Sequence, residues 1–197
     1  MRHNQNALIT DDIVVMNAMM QICKSMHDYV NALTLDDEKR DIAAMICSFI
    51  NKLDMSEKEK MEQYLSFFSD ARASFSSLDS VIALLVHKVN RLSVDTLKCV
   101  NYEHTRKTAA FVRACIAYSF ITIPSLTSPI LKLQLYLESS QVALLNQCLS
   151  QADAFLKSAI SLIPDVQKQI EAQHASGLSG FFDFNYKLCL KVFKVSQ

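Results

Sequence analysis

Glycine and proline are scarce in this sequence, which contains two glycines, three prolines and no tryptophan among its 197 residues. Glycine supplies the positive backbone angles of tight turns and the close backbone approach that phosphate-binding loops need. Gly177 and Gly180 do not have the spacing of a Walker loop or a dinucleotide-binding loop, and two glycines are too few for the turns of a β-rich fold. The sequence therefore predicts an all-α protein.

An excess of charge is also missing, because 20 basic and 20 acidic residues give a formal net charge of zero and a pI near 6.9. Bulk electrostatics therefore point neither to nucleic acid nor to an acidic lipid surface. Residues 1–10 have no continuous apolar core of the kind that a signal peptide requires, and the acidic pair Asp11 and Asp12 follows them. We expect a cytoplasmic protein that binds no nucleic acid.

The cysteines and histidines lack the spacing of a metal site. The six cysteines are dispersed along apolar helical patterns, which is typical of reduced core thiols: Cys23, Cys47, Cys99, Cys115, Cys148 and Cys189. Cys99 and His104 form the closest pair, but no second pair accompanies them. No turn framed by glycine presents a cysteine as a nucleophile. We expect no metal, no cofactor and no catalytic residue.

Half of the residues are hydrophobic, and the least polar segment covers residues 106–126. Apolar residues occupy two helical stripes there, namely Ala109, Val112, Ile116 and Phe120, and Ala110, Ala114, Ala117 and Ile121. This pattern predicts a central helix at about 105–123, ended by Pro124 and covered on several sides. Leucine at Ala114 or Ala117 should then force neighbouring helices apart.

A membrane span is the rival interpretation of that segment. It is disfavoured, because only about fifteen residues separate Lys107 from Pro124 whereas a span needs about twenty. Arg113 also lies in the middle of the segment. The basic pair Arg106 and Lys107 before the helix either faces water or contacts an acidic group of a partner.

Apolar spacing predicts further helices at about 11–33, 36–53 and 78–92. Between the last two, another helix is expected to begin at a Ser56–Glu59 capping box. A short polar segment is expected at 93–102. A short apolar helix follows at about 130–137. Ser139 and Ser140 are then expected to cap a long helix whose packing seam consists of Val142, Leu145, Leu149, Ala152, Leu156, Ala159 and Ile163. Pro164 either ends that helix or begins the next one.

Helix pairs that recur about every forty residues favour a HEAT-like α-solenoid segment of antiparallel helix pairs over a closed bundle. We assign this segment to residues 1–166. Residues 167–197 form a divergent tail of uncertain structure, since strand-like alternation and clustered aromatic residues replace the helical pattern after Gln173.

Arg72 and Arg113 are cations in apolar surroundings, where a guanidinium must find a partner or reach the surface. We expect structural pairing with a carboxylate. The alternative is a self-contained helical-bundle enzyme or small-molecule binder with a pocket between the central helix and the seam helix. Its polar groups would be Arg72, Arg113, Tyr118 and Asp153.

Residues 65–75, Leu-Ser-Phe-Phe-Ser-Asp-Ala-Arg-Ala-Ser-Phe, are similar to the aromatic-x-x-x-Ala-Arg-x-x-Phe helix of the retromer-type vacuolar sorting scaffolds. Residues 31–40, 106–126 and 141–157 resemble the retriever branch of that family more closely. The resemblance covers about residues 13–166, and beyond about Gln167 the family pattern is lost. These are long stretches rather than a short motif that recurs by chance.

The resemblance implies the C-terminal half of a long α-solenoid scaffold that is peripheral on endosomes and recycles cargo to the plasma membrane. In this family that half cradles a structural subunit with a metallophosphoesterase fold, and the assembly works with a copper-metabolism-domain complex. An arrestin-like subunit binds the other half, so its binding is not expected here. Direct membrane insertion is not implied. No short motif marks the family's interface, so the resemblance assigns no partner-binding residues.

Overall fold

The structure is a computed structural model that describes residues 13–30, 34–53 and 60–175, with the side chains of residues 13, 14 and 173–175 excepted. Three predicted features lie outside these residues. They are the first helix start at 10–12, the Ser56–Glu59 capping box and most of the tail at 167–197.

Eight α-helices occupy the described residues, where all regular structure is helical, and the all-α prediction is confirmed. They are α1 (Ile13–Asp28), α2 (Asp36–Lys52), α3 (Met61–Ser74), α4 (Asp79–Cys99), α5 (Arg106–Thr122), α6 (Pro129–Leu145), α7 (Leu149–Ser161) and α8 (Ile163–Ala175). A 3-10 turn, Ile123–Ser125, follows α5.

The helices form two layers. The even-numbered helices contact one another in the order α2, α4, α6, α8. The odd-numbered helices form the second layer, because His27 of α1 contacts Phe75 after α3, α3 contacts α5, and Phe120 of α5 contacts Phe155 of α7. Consecutive helices pack across the layers. This two-layer stack is the solenoid-like arrangement that the sequence predicted.

The central helix is α4, which contacts α2, α3, α5 and α6 and buries eleven of its residues. The prediction that the helix at 105–123 is central was therefore wrong. The predicted break at residue 93 was also wrong, because α4 continues to Cys99. Two of its buried polar side chains are satisfied within the helix, since the Ser93 hydroxyl donates to the Val89 carbonyl and the Thr96 hydroxyl to the Leu92 carbonyl.

Helix α5 buries one side, mainly against α4, with α3 and α6 alongside it and Phe120 in contact with α7. The buried residues are Val112, Cys115, Ile116, Tyr118, Ser119 and Thr122, whereas Ala110, Ala114, Ala117 and Ile121 are exposed. The expectation that this helix is covered on several sides was therefore wrong. The segment Arg106–Ser125 is long and apolar enough to cross a membrane by length and composition, and 39% of its apolar 18-residue stretch is buried within the fold.

Exposure reverses the expected effect of leucine at two alanines of α5. Ala114→Leu and Ala117→Leu add a side chain in solvent, so we expect each to change the free energy of unfolding by no more than about 0.5 kcal/mol. Ala143→Leu on α6, at a fully buried alanine, should instead cost about 1–3 kcal/mol through overpacking. Urea denaturation of the three variants measures both effects, and equal losses in all three would contradict the one-sided packing of α5.

The predicted long helix at 141–163 is two helices. Ser139 and Ser140 do not cap it but are buried inside α6, and the chain turns after Leu145 with Gln147 in the left-handed region at φ 59°. The buried stripe of α7 is Ala152, Phe155 and Ala159, whereas Leu149 is 68% exposed and Leu145 and Leu156 are also exposed. The predicted packing seam was therefore wrong at three positions.

Pro164 begins the last helix, in the first turn of α8, where its missing N–H is not needed. Helix α8 then continues to Ala175 and so crosses the predicted boundary at residue 166. The division of the chain into a solenoid segment and a divergent tail stays a prediction.

Candidate functional site

Two of the four residues proposed for a pocket lie together in a structural contact. The guanidinium carbon of Arg72 lies 6.0 Å from the centre of the Tyr118 ring, at a distance typical of a cation–π contact. The Tyr118 hydroxyl is buried and donates a hydrogen bond to the Phe68 carbonyl at 3.0 Å. Burial raises the pKa of Tyr118 above its usual value. Arg72 is thus paired with an aromatic ring rather than with the expected carboxylate.

The other two residues lie elsewhere. Arg113 is exposed on α5, and Asp153 is exposed on α7, where its carboxylate lies 2.6 Å from the Lys157 ammonium. The four polar groups do not converge on one concave site. The alternative prediction of a pocket that contains all four was therefore wrong. Spacing along a helix placed Arg113 in an apolar segment, but only the packing decides which side of that segment faces water.

The described cysteines are free thiols in or near the core. Burial raises the pKa of Cys23, and it raises that of Cys115 to about 12, so these thiols stay protonated at neutral pH. In the parts of the chain that the structure describes, no three His, Cys, Asp or Glu side chains lie close enough to hold a metal ion. His104 instead has an Asn146 oxygen 2.9 Å from its Nε2, which ties the start of α5 to the α6–α7 turn.

A buried polar network, which the sequence analysis missed, joins three helices. Asn90 of α4 is 3% exposed, and its side-chain amide donates to Glu138 at 3.1 Å and to Ser139 at 3.0 Å, both on α6. Its side-chain oxygen accepts from Ser119 of α5 at 3.1 Å. Both polar atoms of Asn90 are therefore satisfied inside the stack. The signal available in the sequence was an asparagine on the apolar stripe of α4.

The network opens into a groove of about 370 Å³ between α4 and α6. The groove is lined by His87, Asn90, Arg91, Val94, Asp95, Lys98, Glu138 and Val142. The second oxygen of Glu138 lies 2.6 Å from the His87 ring, and Asp95 lies 3.4 Å from Arg91 and 3.5 Å from Lys98. Each charged side chain of the groove thus has a partner of opposite sign. Because Arg91, Asp95 and Lys98 all belong to α4, the pair that joins α4 to α6 is His87–Glu138.

The His87–Glu138 pair predicts a pH-dependent stability. The hydrogen bond with Glu138 raises the pKa of His87 above 6.5, so its stabilisation is complete below pH 6.5 and is lost as the pH rises through the folded pKa. Burial would raise the pKa of Glu138, but hydrogen bonds from His87 and Asn90 outweigh burial and lower it. The carboxylate contribution is therefore complete above pH 4.5, the usual value, and is lost as the pH falls through the lowered pKa.

We expect the gain in melting temperature between pH 8 and pH 6 to be larger in the natural chain than in His87→Gln. Both side chains are partly exposed, so the effect corresponds to less than about 1 kcal/mol. Thermal denaturation at the two pH values measures it. An equal pH dependence in the two proteins would contradict a stabilising ion pair.

The outward side of α5 is a continuous apolar surface, which we name the α5 face. It consists of Ala110, Arg113, Ala114, Ala117, Phe120 and Ile121, all exposed. Arg113 forms no ion pair with any described residue, whereas the nearby Lys107 lies 3.4 Å from Glu62 of α3. The neighbouring helix α3 instead exposes polar side chains, such as Gln63, Ser66 and Asp70. Among these two helices, only α5 presents a face suited to contact with another apolar surface.

Comparison of the sequence with known proteins shows a family to which the chain is similar. A family model described as the VPS35L C-terminal domain matches residues 1–188. The chain is 54% identical over 185 residues to a zebrafish (Danio rerio) protein and 53% identical over 169 residues to a human one. Both are named VPS35 endosomal protein-sorting factor-like. A similarly named Dictyostelium discoideum protein is 42% identical over 164 residues.

The matches cover 93%, 86% and 83% of this chain but only 19%, 17% and 16% of the zebrafish, human and Dictyostelium relatives. The chain thus spans less than a fifth of the length of these relatives. The family match reaches residue 188, further than the resemblance seen in the sequence, which covered about residues 13–166.

Proposed function

This chain belongs to the VPS35L C-terminal domain family, and from that membership we propose that it is a non-catalytic scaffold segment acting in endosomal protein sorting. The observation that carries the proposal is the identity of 54% with a relative named as an endosomal protein-sorting factor, which extends over 93% of the chain. The two-layer helical stack supports it, because such stacks offer long outer faces to protein partners.

The finer proposal concerns the assembly. We propose that this segment belongs to a retriever-type complex that is peripheral on endosomes and returns cargo to the plasma membrane. Its direct partner would be the metallophosphoesterase-fold sorting subunit, which the family's C-terminal half cradles, and the copper-metabolism-domain complex would join through the assembly. The arrestin-like subunit is not a proposed partner of this segment.

Co-purification tests the direct partner. The chain and the metallophosphoesterase-fold subunit are mixed and passed over a size-exclusion column, and their affinity is measured by isothermal titration calorimetry. We expect a one-to-one complex. The full-length human relative serves as the positive control, and the arrestin-like subunit serves as the negative control. Absence of binding by a folded chain, while the human relative binds, would remove this partner.

A further inference from the structure

We propose that the α5 face is a docking surface for a folded protein partner whose contact region is apolar and carries at least one carboxylate opposite Arg113. This inference rests on the proposed scaffold function and assigns the partner to one side of the stack. The face consists of Ala110, Arg113, Ala114, Ala117, Phe120 and Ile121, and it lies opposite the side of α5 that packs on α4.

The first argument is the composition of the face. Ile121 is 56% exposed and Phe120 is 39% exposed, although Ser119 and Thr122 of the same helix are fully buried. Helix α5 thus presents large apolar side chains to solvent and keeps hydroxyl groups inside. Protein interfaces are rich in aromatic side chains and arginine and poor in lysine and acidic residues, and the α5 face has this composition.

The second argument is the shape and order of the face. The three alanines leave a shallow strip along the helix axis, which lets a partner approach the backbone closely. Phe120 is held at one end of the strip, because its ring packs edge-to-face against Phe155 of α7 with 5.3 Å between ring centres. A side chain that is already fixed loses little entropy on binding, so it is suited to anchor a contact.

The third argument is charge. Arg113 lies within the apolar strip and has no ion pair with any described residue, whereas the exposed cations Lys107 and Lys157 are paired with Glu62 and Asp153. A guanidinium that becomes buried in an interface without a carboxylate is costly. The occupant must therefore supply an acidic group at that point. This requirement restricts the partner to a surface that is apolar but carries a carboxylate.

A lipid surface is the competing occupant, since the segment Arg106–Ser125 is apolar enough to cross a membrane. The layer that contains α5 disfavours it. Helix α3 lies beside α5 in that layer and exposes the polar side chains Gln63, Ser66 and Asp70. Polar and ionised groups beside the apolar strip would have to leave water if the layer entered the hydrocarbon region, which is costly.

The test uses charge substitutions at exposed positions. Ala117→Glu places a carboxylate in the middle of the α5 face, and Arg113→Glu reverses its charge. The matched control is Ala44→Glu, at an exposed alanine of α2 in the other layer. Binding to the metallophosphoesterase-fold subunit is measured by calorimetry, and folding is checked by thermal denaturation. Vesicles of phosphatidylcholine with phosphatidylserine serve as a second probe for all four proteins.

We expect Ala117→Glu and Arg113→Glu to weaken binding by about tenfold or more, because each leaves an unpaired or repelled charge in the contact. Ala44→Glu should bind as the natural chain does, and all three variants should have the same melting temperature as the natural chain.

If the natural chain binds but both α5 variants bind within about twofold of it, the docking surface is overturned while the scaffold function stands. If the folded natural chain does not bind the subunit, the proposed partner and its docking on the α5 face are both overturned. Vesicle binding that the α5 variants lose, with unchanged subunit binding, would overturn the proposal in favour of a lipid surface.

Discussion

Replacement of Phe155 by alanine is expected to lower the free energy of unfolding by about 3–5 kcal/mol, the usual cost of removing a fully buried aromatic ring. Phe155 is 0% exposed, and its ring lies 5.3 Å from that of Phe120 on α5 and 6.1 Å from that of Tyr136 on α6. It therefore joins three helices, and alanine would leave a cavity between them. Urea denaturation monitored by circular dichroism measures the loss.

Leu156→Ala is the matched control for this prediction. Leu156 is the next residue along α7, was placed in the packing seam by the sequence, and is exposed in the structure. Because Leu156 is 38% exposed and its truncation opens to solvent rather than leaving a closed cavity, it should cost about 1–2 kcal/mol, less than Phe155→Ala. A larger loss for Leu156→Ala than for Phe155→Ala would mean that α7 is rotated about its axis relative to the arrangement described here.

The contrast between α2 and the α6–α7 hairpin indicates how far the fold could be predicted. Helix α2 was expected at 36–53 and lies at Asp36–Lys52, because acidic residues mark its start and Ile46 and Ile50 mark its buried side. The hairpin was missed, since the spacing of three and four residues continues across the turn. Glycine usually marks such a left-handed turn, but here Gln147 adopts it, so composition carried no warning.

Which side of a helix faces the core was harder to predict than the helix itself. In α5 the buried residues include Ser119 and Thr122, whereas the hydrophobic Ile121 is exposed. Hydropathy alone would choose the opposite side. The hydroxyl of Ser119 is accommodated because Asn90 of α4 accepts its hydrogen bond, and that partner is 29 residues away in the chain. The α5 face follows from this distant contact and could not be predicted from local spacing.

The polar network around Asn90 is therefore the feature of the core that depends most on the exact register of three helices. Glu138 and Ser139 lie 48 and 49 residues from Asn90 in sequence. An apolar residue of similar size at position 90 would fill the same space but satisfy none of these groups. Glu138, Ser139 and Ser119 would each lose their hydrogen bond with the Asn90 amide and would face an apolar side chain instead.

Asn90→Leu is accordingly expected to cost about 2–4 kcal/mol of stability, since an unsatisfied buried polar group costs about 1–3 kcal/mol and at least two are created. The variant also removes one of the hydrogen bonds that lower the pKa of Glu138, so less of its stability depends on the ionised carboxylate and it should lose less stability than the natural chain on acidification below pH 4.5. Asn51→Leu, at an exposed asparagine of α2, controls for the change in side-chain type and should be nearly neutral. Urea denaturation at pH 7 and at pH 4 measures both effects, and equal stability of the two variants at pH 7 would show that the network contributes nothing to holding α4, α5 and α6 together.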